Sequence, residues 1–310
     1  MIYVLILAIS IAMSIFVKRY AIAKQIIDTP NQRSSHTTPT PRGGGVAIVI
    51  SFFVGVFYCY FANIITKDLF FALLCSIPLI IVGFLDDIYN ILAKFRFLVQ
   101  SISVILSLYF IGSDSIILNI FFAFGMLWLI NLYNFLDGID GYAISEAIFI
   151  SLAAFVIFQN EIFLILCMAT LGFLPFNWQR ASIFMGDVGS TFLGFVFGVF
   201  VIYFSNDIKD FTIWLILLSL FWFDATFTLI KRFQNGENIT TAHKKHLFQR
   251  AVQAGFSHQA VTLFALFINI GLFFIVFLFQ NSKFLYFALF LITILLFWLT
   301  KVIDNKVAFK

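Results

Sequence analysis

Residues 259–299, QAVTLFALFINIGLFFIVFLFQNSKFLYFALFLITILLFWL, decide the class of fold. Two apolar runs, 259–280 and 284–300, are separated by a short polar turn that holds Lys283, the one charged residue of the stretch. An α-helix needs about 20 mainly apolar residues to cross the hydrocarbon core of a bilayer. The stretch therefore predicts two transmembrane helices joined by a tight turn.

The whole chain shares this composition. Of its 310 residues, 62% are hydrophobic and only 11% are charged, against about 25% charged in a soluble domain. This excludes a soluble enzyme and a disordered tail. The net charge of +4 is small, and the basic residues are spread thinly, so a nucleic-acid-binding module is excluded as well.

Apolar runs of spanning length recur along the chain, and we predict an all-α, polytopic integral membrane protein of about eleven transmembrane helices in a single domain, 1–310. The predicted spans are 1–17, 44–65, 69–85, 97–112, 115–131, 143–159, 161–177, 188–205, 211–230, 259–280 and 284–300. No basic stretch precedes the first run and no small-residue cleavage site follows it, so we interpret it as a retained anchor and not a signal peptide.

The basic residues are distributed asymmetrically between the two sets of loops. One set, with the C-terminal tail, holds 16 of the 19 Lys and Arg residues; the other holds Lys67, Lys209 and Lys283. Positive charge is retained on the cytoplasmic side of a membrane. We therefore predict a multi-pass membrane protein with its N-terminus outside and its C-terminus inside. The inner loops are the longer ones and hold most of the Gly, Pro, Asn, Asp and His residues that lie between the predicted spans, so we expect the functional residues on the cytoplasmic face.

Acidic residues lie at the membrane edge of four inner loops. They are Asp86 and Asp87 in GFLDD, Asp137 and Asp140 in NLYNFLDGIDG, Asp187 in FMGDVGS and Asp224 in FWFDATF. Ionisable groups at this depth are costly and usually mark function. The alternative is that they are ordinary interfacial charges, solvated at helix ends.

Four polar residues in the second block recur at every third position: Asn131, Asn134, Asp137 and Asp140. Each step of three falls about 60° short of a full helical turn, so the four sweep half of the circumference. Gly138 and Gly141 favour a helix end that opens into a polar loop, where carboxylates and amides converge on a ligand. A polar capping cluster is the alternative.

Converging carboxylates repel each other and need a cation unless they are protonated. Oxygen ligands favour Mg²⁺, which also binds substrate phosphates, and Mn²⁺ is a second candidate. The small residues of GDVGS would let a phosphate approach closely, although Asp187 could simply cap a helix. Cys59, Cys75 and Cys167 all lie in apolar runs, so neither a disulfide framework nor a zinc site is expected.

Basic and histidine residues are concentrated in two inner loops. The segment TAHKKHLFQR holds His243, Lys244, Lys245, His246 and Arg250, and the first loop holds Arg33, His36 and Arg42. Such groups suit phosphate binding or proton transfer near neutral pH. A basic run beside a membrane can instead hold anionic lipid headgroups.

Five blocks in this order, DTPNQRSSH…TPRGGG, GFLDD, NLYNFLDGIDG, FMGDVGS and AHKKHLFQR, resemble the MraY/WecA family of polyprenyl-phosphate N-acetylhexosamine-1-phosphate transferases, glycosyltransferase family 4. The resemblance runs from about residue 28 to 258. It implies Mg²⁺-dependent transfer of a sugar 1-phosphate from a UDP-N-acetylhexosamine to undecaprenyl phosphate, with release of UMP. It also implies a location in the bacterial cytoplasmic membrane. Whether the protein forms a homodimer is left open.

The resemblance also implies roles for individual residues. Asp187 matches the Mg²⁺ ligand, Asp87 its partner at the diphosphate and metal, and Asp86 the acid proposed as general base on the lipid phosphate. Matches on the nucleotide side are Asn134, Asp137, Asp140 and Phe184, the last of which stacks on uracil. Matches near the phosphates are His243 and His246, and matches in the first loop near the donor are Arg33 and His36. Lys244 and Arg250 are substrate-binding candidates because the basic loop that holds them would bind the lipid phosphate.

The histidine segment departs from the peptidoglycan branch of the family, which carries three consecutive histidines. His243-Lys244-Lys245-His246 therefore disfavours a muramoyl-pentapeptide donor. The loop resembles that of members which initiate O-antigen, with UDP-N-acetylglucosamine or a deoxy N-acetylhexosamine as donor. A peptidoglycan-type transferase, a membrane transporter or flippase, and a non-catalytic membrane subunit are the alternatives.

Overall fold

The computed structural model describes residues 1–30, 35–238, 241 and 243–309, which are almost entirely helical. The helices are α1 (Ile2–Ala23), α2 (Gly45–Phe61), α3 (Lys67–Leu74), α4 (Ile77–Tyr89), α5 (Ala93–Ile111), α6 (Ile116–Leu136), α7 (Tyr142–Phe158), α8 (Glu161–Asn177), α9 (Gly186–Tyr203), α10 (Ile208–Leu217), α11 (Ser219–Gln234), α12 (Leu247–Gln253), α13 (His258–Phe279) and α14 (Phe284–Asp304). Two short strands, β1 (Ile27–Asp28) and β2 (Thr40–Pro41), pair antiparallel in the first loop. The predicted all-α class is confirmed.

Seven of the spans in the described part of the chain are long and apolar enough to cross a membrane, with α3 and α4 counted as one. The bent pair α10 and α11 adds an eighth when it is taken as one broken span. Helices α2, α7 and α8 are apolar but have 17 residues each, about 25 Å of helix, and they coincide with three further predicted spans. The protein is a multi-pass membrane protein, and the count of eleven spans stays a prediction.

Two helices run further than their apolar sequences predict. Helix α4 continues to Tyr89 and α6 to Leu136, several residues beyond the predicted ends of those spans. A run of apolar residues shows only which part of a helix lies in the hydrocarbon core. The backbone hydrogen bonds of the helix can continue beyond that run into the membrane interface. Asp86 and Asp87 therefore lie in the last turn of α4, and Asn134 lies in the last turn of α6.

The predicted span 211–230 is broken in the structure. Helices α10 and α11 meet at Leu218 with a bend of 77°. The indole N–H of Trp222 donates to the carbonyl oxygen of Leu215 at 2.7 Å. This bond satisfies a backbone group near the break, as the hydrocarbon region requires. The sequence around the break, LILLSLFW, is apolar except for Ser219 and does not predict it.

Polar side chains fix the starts of several helices by accepting a hydrogen bond from a free backbone N–H in the first turn. These residues are Thr66, Ser115, Asn160, Asp207 and Ser257. Such N-caps are typical of short polar side chains. They mark where apolar helices leave the turns of the chain.

Helix α9 lies at the centre of the molecule, with 78% of its spanning window buried against 39% or less for the other long spans. Glycines allow neighbouring backbones to approach it closely. A Cβ atom on Gly45 of α2 would lie 2.3 Å from Gly189 Cα, and one on Gly83 of α4 would lie 2.8 Å from Val188 Cα. Helices α2 and α4 are thereby fixed against the first turns of α9.

Candidate active site

Asp87 caps the N-terminus of α9. Its Oδ1 accepts the N–H of Asp187 at 2.9 Å and its Oδ2 accepts the N–H of Val188 at 3.3 Å. A carboxylate is stabilised at a helix N-terminus because the free N–H groups and the helix dipole are positive there. Gly186 has φ +77°, and a Cβ atom on it would lie 2.5 Å from the Asp87 carboxylate, so this turn requires glycine.

Asp86 and Asp187 are joined by the guanidinium of Arg96. One nitrogen, Nη1, lies 2.5 Å from Asp86 Oδ2 and 2.5 Å from Asp187 Oδ2. The three side chains come from the end of α4, the start of α9 and the first turn of α5. The structure thus brings together the predicted catalytic acid Asp86 and the predicted metal ligand Asp187, with a cation, Arg96, that was not among the predicted site residues.

The outer oxygens of these two carboxylates are held separately. Asp86 Oδ1 accepts the N–H of Ile91 at 2.5 Å. Asn134 Nδ2 donates to Asp187 Oδ1 at 3.0 Å and to Ser190 Oγ at 3.0 Å. Asn134 therefore joins the predicted cluster directly. Asn131 does not, because its amide donates to Gln100 Oε1 at 2.9 Å.

Asp137 and Asp140 follow the end of α6 and have different surroundings. Burial, with the nearby charges of Asp187, Asp87 and Asp140, raises the pKa of Asp137 well above its usual range. Asp140 faces the start of α13, where its Oδ2 lies 3.3 Å from His258 Nδ1 and accepts the N–H of Ala181 at 3.3 Å. The charges of Asp187 and Asp87 therefore act on Asp137, whereas Asp140 contacts His258 and the backbone of Ala181.

The first loop contacts the cluster through Arg42. Arg42 Nε donates to the carbonyl oxygen of Asp87 at 2.6 Å, and Nη2 donates to that of Asp86 at 3.1 Å. These carbonyls lie at the end of α4, where a cation is favourable. Arg42 was not among the predicted site residues, and its place in the basic first loop, directly before Gly43-Gly44-Gly45, is the one sign of it in the sequence.

Phe184 and His36 contact each other at the edge of the site. Their ring centroids are 4.8 Å apart in an edge-to-face arrangement. The N–H of Phe184 donates to the carbonyl of Pro41 at 2.8 Å, and the N–H of Gly44 donates to the carbonyl of Phe184 at 2.9 Å. The segment before α9 is thereby tied to the first loop. Arg33, also predicted here, lies outside the described residues.

Asp224 holds the start of α12, where the histidine segment ends. Its Oδ1 accepts the N–H of Leu247 at 2.8 Å, its Oδ2 accepts that of Phe248 at 3.4 Å, and His246 Nδ1 lies 3.5 Å from Oδ1. The centroid of the His246 ring is 6.4 Å from that of Phe135, next to Asn134. This contact brings the histidine segment to the end of α6.

His243 is packed beside His246, with ring centroids 4.8 Å apart. Burial, together with the neighbouring groups His246, Arg232 and Lys245, lowers the pKa of His243 to about 3. Its Nδ1 accepts the N–H of Lys245 at 3.2 Å. The neutral ring is therefore the form present near neutral pH.

The cations around the histidine segment are mostly engaged with acids. Arg250 contacts Asp304 and the carbonyl of Val307, and Lys245 Nζ lies 2.7 Å from Glu237 Oε1. No ionic partner is found for Lys244 among the residues that the structure describes. Lys244 is therefore better placed than Arg250 to meet an anionic ligand, and the predicted substrate contacts of both stay predictions.

The carboxylate pair has the chemistry of a partial metal site. Two carboxylate oxygens face one point, and Mg²⁺ commonly takes one or two protein carboxylates together with waters and substrate phosphates. Within residues 1–30, 35–238, 241 and 243–309, no group of three or more His, Cys, Asp or Glu side chains is arranged around a metal position. Asp86 and Asp187 fit such an open site. Both oxygens of Asp87, which was also predicted as a metal ligand, face the backbone of α9, and that role stays a prediction.

Several known proteins are similar in sequence to this chain over most of its length. Residues 69–205 match the sequence profile described as glycosyl transferase family 4. A Bacillus subtilis (strain 168) protein, "Probable undecaprenyl-phosphate N-acetylglucosaminyl 1-phosphate transferase", is 32% identical over 80% of this chain and 75% of its own length.

Two further relatives carry similar names. The "Undecaprenyl-phosphate alpha-N-acetylglucosaminyl 1-phosphate transferase" of Thermotoga maritima is 26% identical over 77% of each chain. The Salmonella typhi protein of the same name is 26% identical over 80% of this chain and 75% of its own. The identity and coverage of the Bacillus subtilis relative, with the match to the profile, place the chain in a known family: it belongs to glycosyl transferase family 4.

Proposed function

We propose that this protein transfers N-acetylglucosamine 1-phosphate from UDP-N-acetylglucosamine to undecaprenyl phosphate and releases UMP. The observation that carries the proposal is the convergence of Asp86, Asp187 and Arg96, from three helices, at one end of an apolar bundle. The names of the relatives above describe transfer of N-acetylglucosamine 1-phosphate to undecaprenyl phosphate. These names support UDP-N-acetylglucosamine as the donor among the wider class of UDP-N-acetylhexosamines. The product is the first lipid-linked intermediate of a cell-surface polysaccharide.

In this reaction an oxygen of the lipid phosphate attacks the β-phosphorus of the UDP-sugar. The bond from the β-phosphorus to the oxygen that bridges to the α-phosphate breaks, and UMP departs with that oxygen. Both reactants are anions, so their encounter is unfavourable without positive charge. The site supplies Arg96 directly, and Asp86 and Asp187 would hold Mg²⁺ or Mn²⁺, which neutralises phosphate charge when bound.

Asp86 need not act as a strong base. A phosphate monoester has a second pKa of about 6 and is mostly dianionic at pH 7. Its oxygen is therefore already a nucleophile, and the larger demand on the site is to position it. The hydrogen bonds from Ile91 to Asp86 and from Asn134 to Asp187 hold the two carboxylates in place for this positioning.

The donor nucleotide is assigned to the side of the site formed by the first loop and the segment before α9. Phe184, already against His36, would stack on uracil. Asn134, Asp137 and Asp140 would contact the donor, and Arg33 is assigned to it by the resemblance alone. His243, His246 and Lys244 would face the phosphates from the α12 side, while Arg250 contacts Asp304 on α14.

The acceptor chain is assigned to the lipid-facing side of α5. Leu98, Ile102 and Ile105 follow Arg96 on this helix and are 54%, 45% and 65% exposed. A lipid whose phosphate reaches Arg96 can therefore leave its hydrocarbon in the bilayer. The proposal includes eleven spans in the bacterial cytoplasmic membrane, with the N-terminus outside and the C-terminus in the cytoplasm.

The activity is tested with the purified full-length protein in detergent and radiolabelled undecaprenyl phosphate. UDP-N-acetylglucosamine, UDP-N-acetylgalactosamine and UDP-N-acetylmuramoyl-pentapeptide are offered separately, and lipid-linked product and UMP are measured. Product with the first donor alone is expected. Product only with the muramoyl-pentapeptide would move the protein to the peptidoglycan type of reaction, and no product with any donor would contradict a transferase.

The assigned residues are tested by Asp187→Asn and Asp86→Asn. Each substitution removes a carboxylate charge with little change of shape, and each is expected to lower UMP release at least about 100-fold, a usual size for a lost catalytic group. Asp207→Asn, an acidic N-cap in the loop before α10, is the matched control and is expected to keep full activity. Near-normal turnover of Asp187→Asn would contradict the assignment.

A further inference from the structure

The position of Arg96 has a meaning beyond charge neutralisation. Its Nη1 atom lies 2.5 Å from one oxygen of Asp86 and 2.5 Å from one oxygen of Asp187. Mg²⁺–oxygen distances in proteins are about 2.0 to 2.1 Å, a few tenths of an ångström shorter than these two contacts. The guanidinium nitrogen thus stands close to the point that a divalent cation shared by the two carboxylates would take.

We infer that Arg96 is a displaceable counter-ion that competes with the divalent cation for the position between Asp86 and Asp187. Arg96 cannot yield by losing its proton, because a guanidinium stays charged in proteins. It has to move away as a cation. The inference rests on the proposed metal site and goes beyond it, because it assigns a second, exchanging occupant to that position.

The carboxylates are arranged so that the exchange costs little reorganisation. Asp86 is held through its outer oxygen by the N–H of Ile91, and Asp187 is held through its outer oxygen by Asn134. The inner oxygens therefore keep facing one point when the occupant changes. When both carboxyl groups are ionised, one guanidinium leaves a net charge of −1, whereas a divalent ion neutralises the pair.

Arg96 is placed so that it can leave. It lies in the first turn of α5, and its side chain is 33% exposed, so the guanidinium has access to the surface of the site. A planar guanidinium binds phosphate oxygens in a two-pronged geometry that a lysine does not reproduce. Cation entry would therefore release a phosphate-binding group at the moment when the diphosphate needs one.

The inference is tested by Mn²⁺ binding without any substrate, measured by electron paramagnetic resonance on the purified full-length protein. Arg96→Gln is expected to bind Mn²⁺ at least about tenfold more tightly than the wild type, because the competing cation is gone. Arg96→Lys keeps the positive charge but loses the planar, two-pronged guanidinium. Its affinity for Mn²⁺ is expected to lie between those of the wild type and Arg96→Gln. Lys94→Gln removes an exposed charge two residues away and is expected to bind like the wild type.

The outcomes separate the inference from the proposed function. Equal or weaker binding by Arg96→Gln, while Asp187→Asn weakens binding, would overturn the competition and leave the metal site in place. Unchanged binding by Asp187→Asn would overturn both. If Arg96→Gln does not fold, Arg96→Lys decides: tighter binding than the wild type supports the competition, and equal or weaker binding refutes it.

Discussion

Asp86 and Asp87 are adjacent in the chain, yet their carboxylates serve different partners. Neighbouring residues on a helix point about 100° apart, so Asp86 reaches Arg96 and Asp87 reaches the backbone N–H groups of α9. Asp87 thereby sets the position of Asp187. At the scale of single residues, one member of the pair contacts Arg96 beside Asp187, and the other holds the start of the helix that carries Asp187.

This division predicts different effects on stability. Asp87→Ala removes both acceptors at the start of α9 and is expected to lower the free energy of unfolding by about 1 to 2 kcal/mol, the upper range for a lost N-cap. Activity is expected to fall as well, because Asp187 loses its support. Thermal unfolding in detergent, together with UMP release, measures both quantities.

Asp207→Ala is the matched comparison, because Asp207 caps α10 through the N–H of Asp210 at 2.8 Å. It is expected to lose stability without losing activity per folded molecule. An Asp87→Ala variant that unfolds at the wild-type temperature would show that Asp87 is not an anchor for α9.

At the scale of elements, the histidine segment and α12 depend on neighbouring helices for their position. Asp224 of α11 accepts two N–H groups at the start of α12, and Asp304 at the end of α14 contacts Arg250 and Lys231. Phe309 adds an aromatic ring with Lys231 Nζ 4.4 Å from its centroid. Short α12 would be marginal alone, so these contacts place it.

The histidine segment predicts a pH dependence of stability. The pKa of His243 is about 3 in the folded protein and about 6.5 in an unfolded chain. The unfolded chain therefore binds more protons between these values, so this contribution to stability is full above about pH 6.5 and is lost as the pH falls toward 3. The unfolding temperature of the wild type is expected to fall more steeply on acidification than that of His243→Asn. Parallel curves would contradict this explanation.

The elements that the sequence predicts well are those defined by apolarity. Each predicted span coincides with a helix or a broken helix, because a run of apolar residues has one stable arrangement in lipid. Helix ends at Tyr89 and Leu136 and the break at Leu218 were missed, because hydrophobicity reports neither hydrogen bonding nor bending.

The sequence predicts the acidic residues of the candidate site but not its arginine, Arg96. Asp86, Asp187 and Asn134 were selected from their blocks, and the structure brings them together. Arg96 was counted only as a cytoplasmic charge. Its role depends on the meeting of α4, α5 and α9, which is tertiary information that spacing along the chain does not carry.

At the scale of the whole molecule, charge and membrane orientation go together. The acids of the site, the histidine segment and 16 of the 19 Lys and Arg residues belong to the same set of loops or to the tail. This set is proposed to face the cytoplasm, where a nucleotide-sugar donor is made. The other loops are short and nearly free of basic residues.

The orientation is tested by single cysteines in the intact cell, after replacement of Cys59, Cys75 and Cys167. Ser282→Cys, in the turn before α14, is expected to react with a membrane-impermeant maleimide from outside. Asn235→Cys, after α11, is also exposed but is expected to react only after permeabilisation. The reverse pattern would invert the topology, and with it the placement of the active site.

The close approach of Gly45 to Gly189 also makes the start of α9 sensitive to a single added carbon. A methyl group on either residue would not fit between the two backbones, so a larger side chain at either position has to push α2 and α9 apart. Asp187 lies in this same first turn of α9, and such a separation would shift its carboxylate relative to Asp86 on α4. Two positions without a side chain thus constrain the geometry of the charged ones.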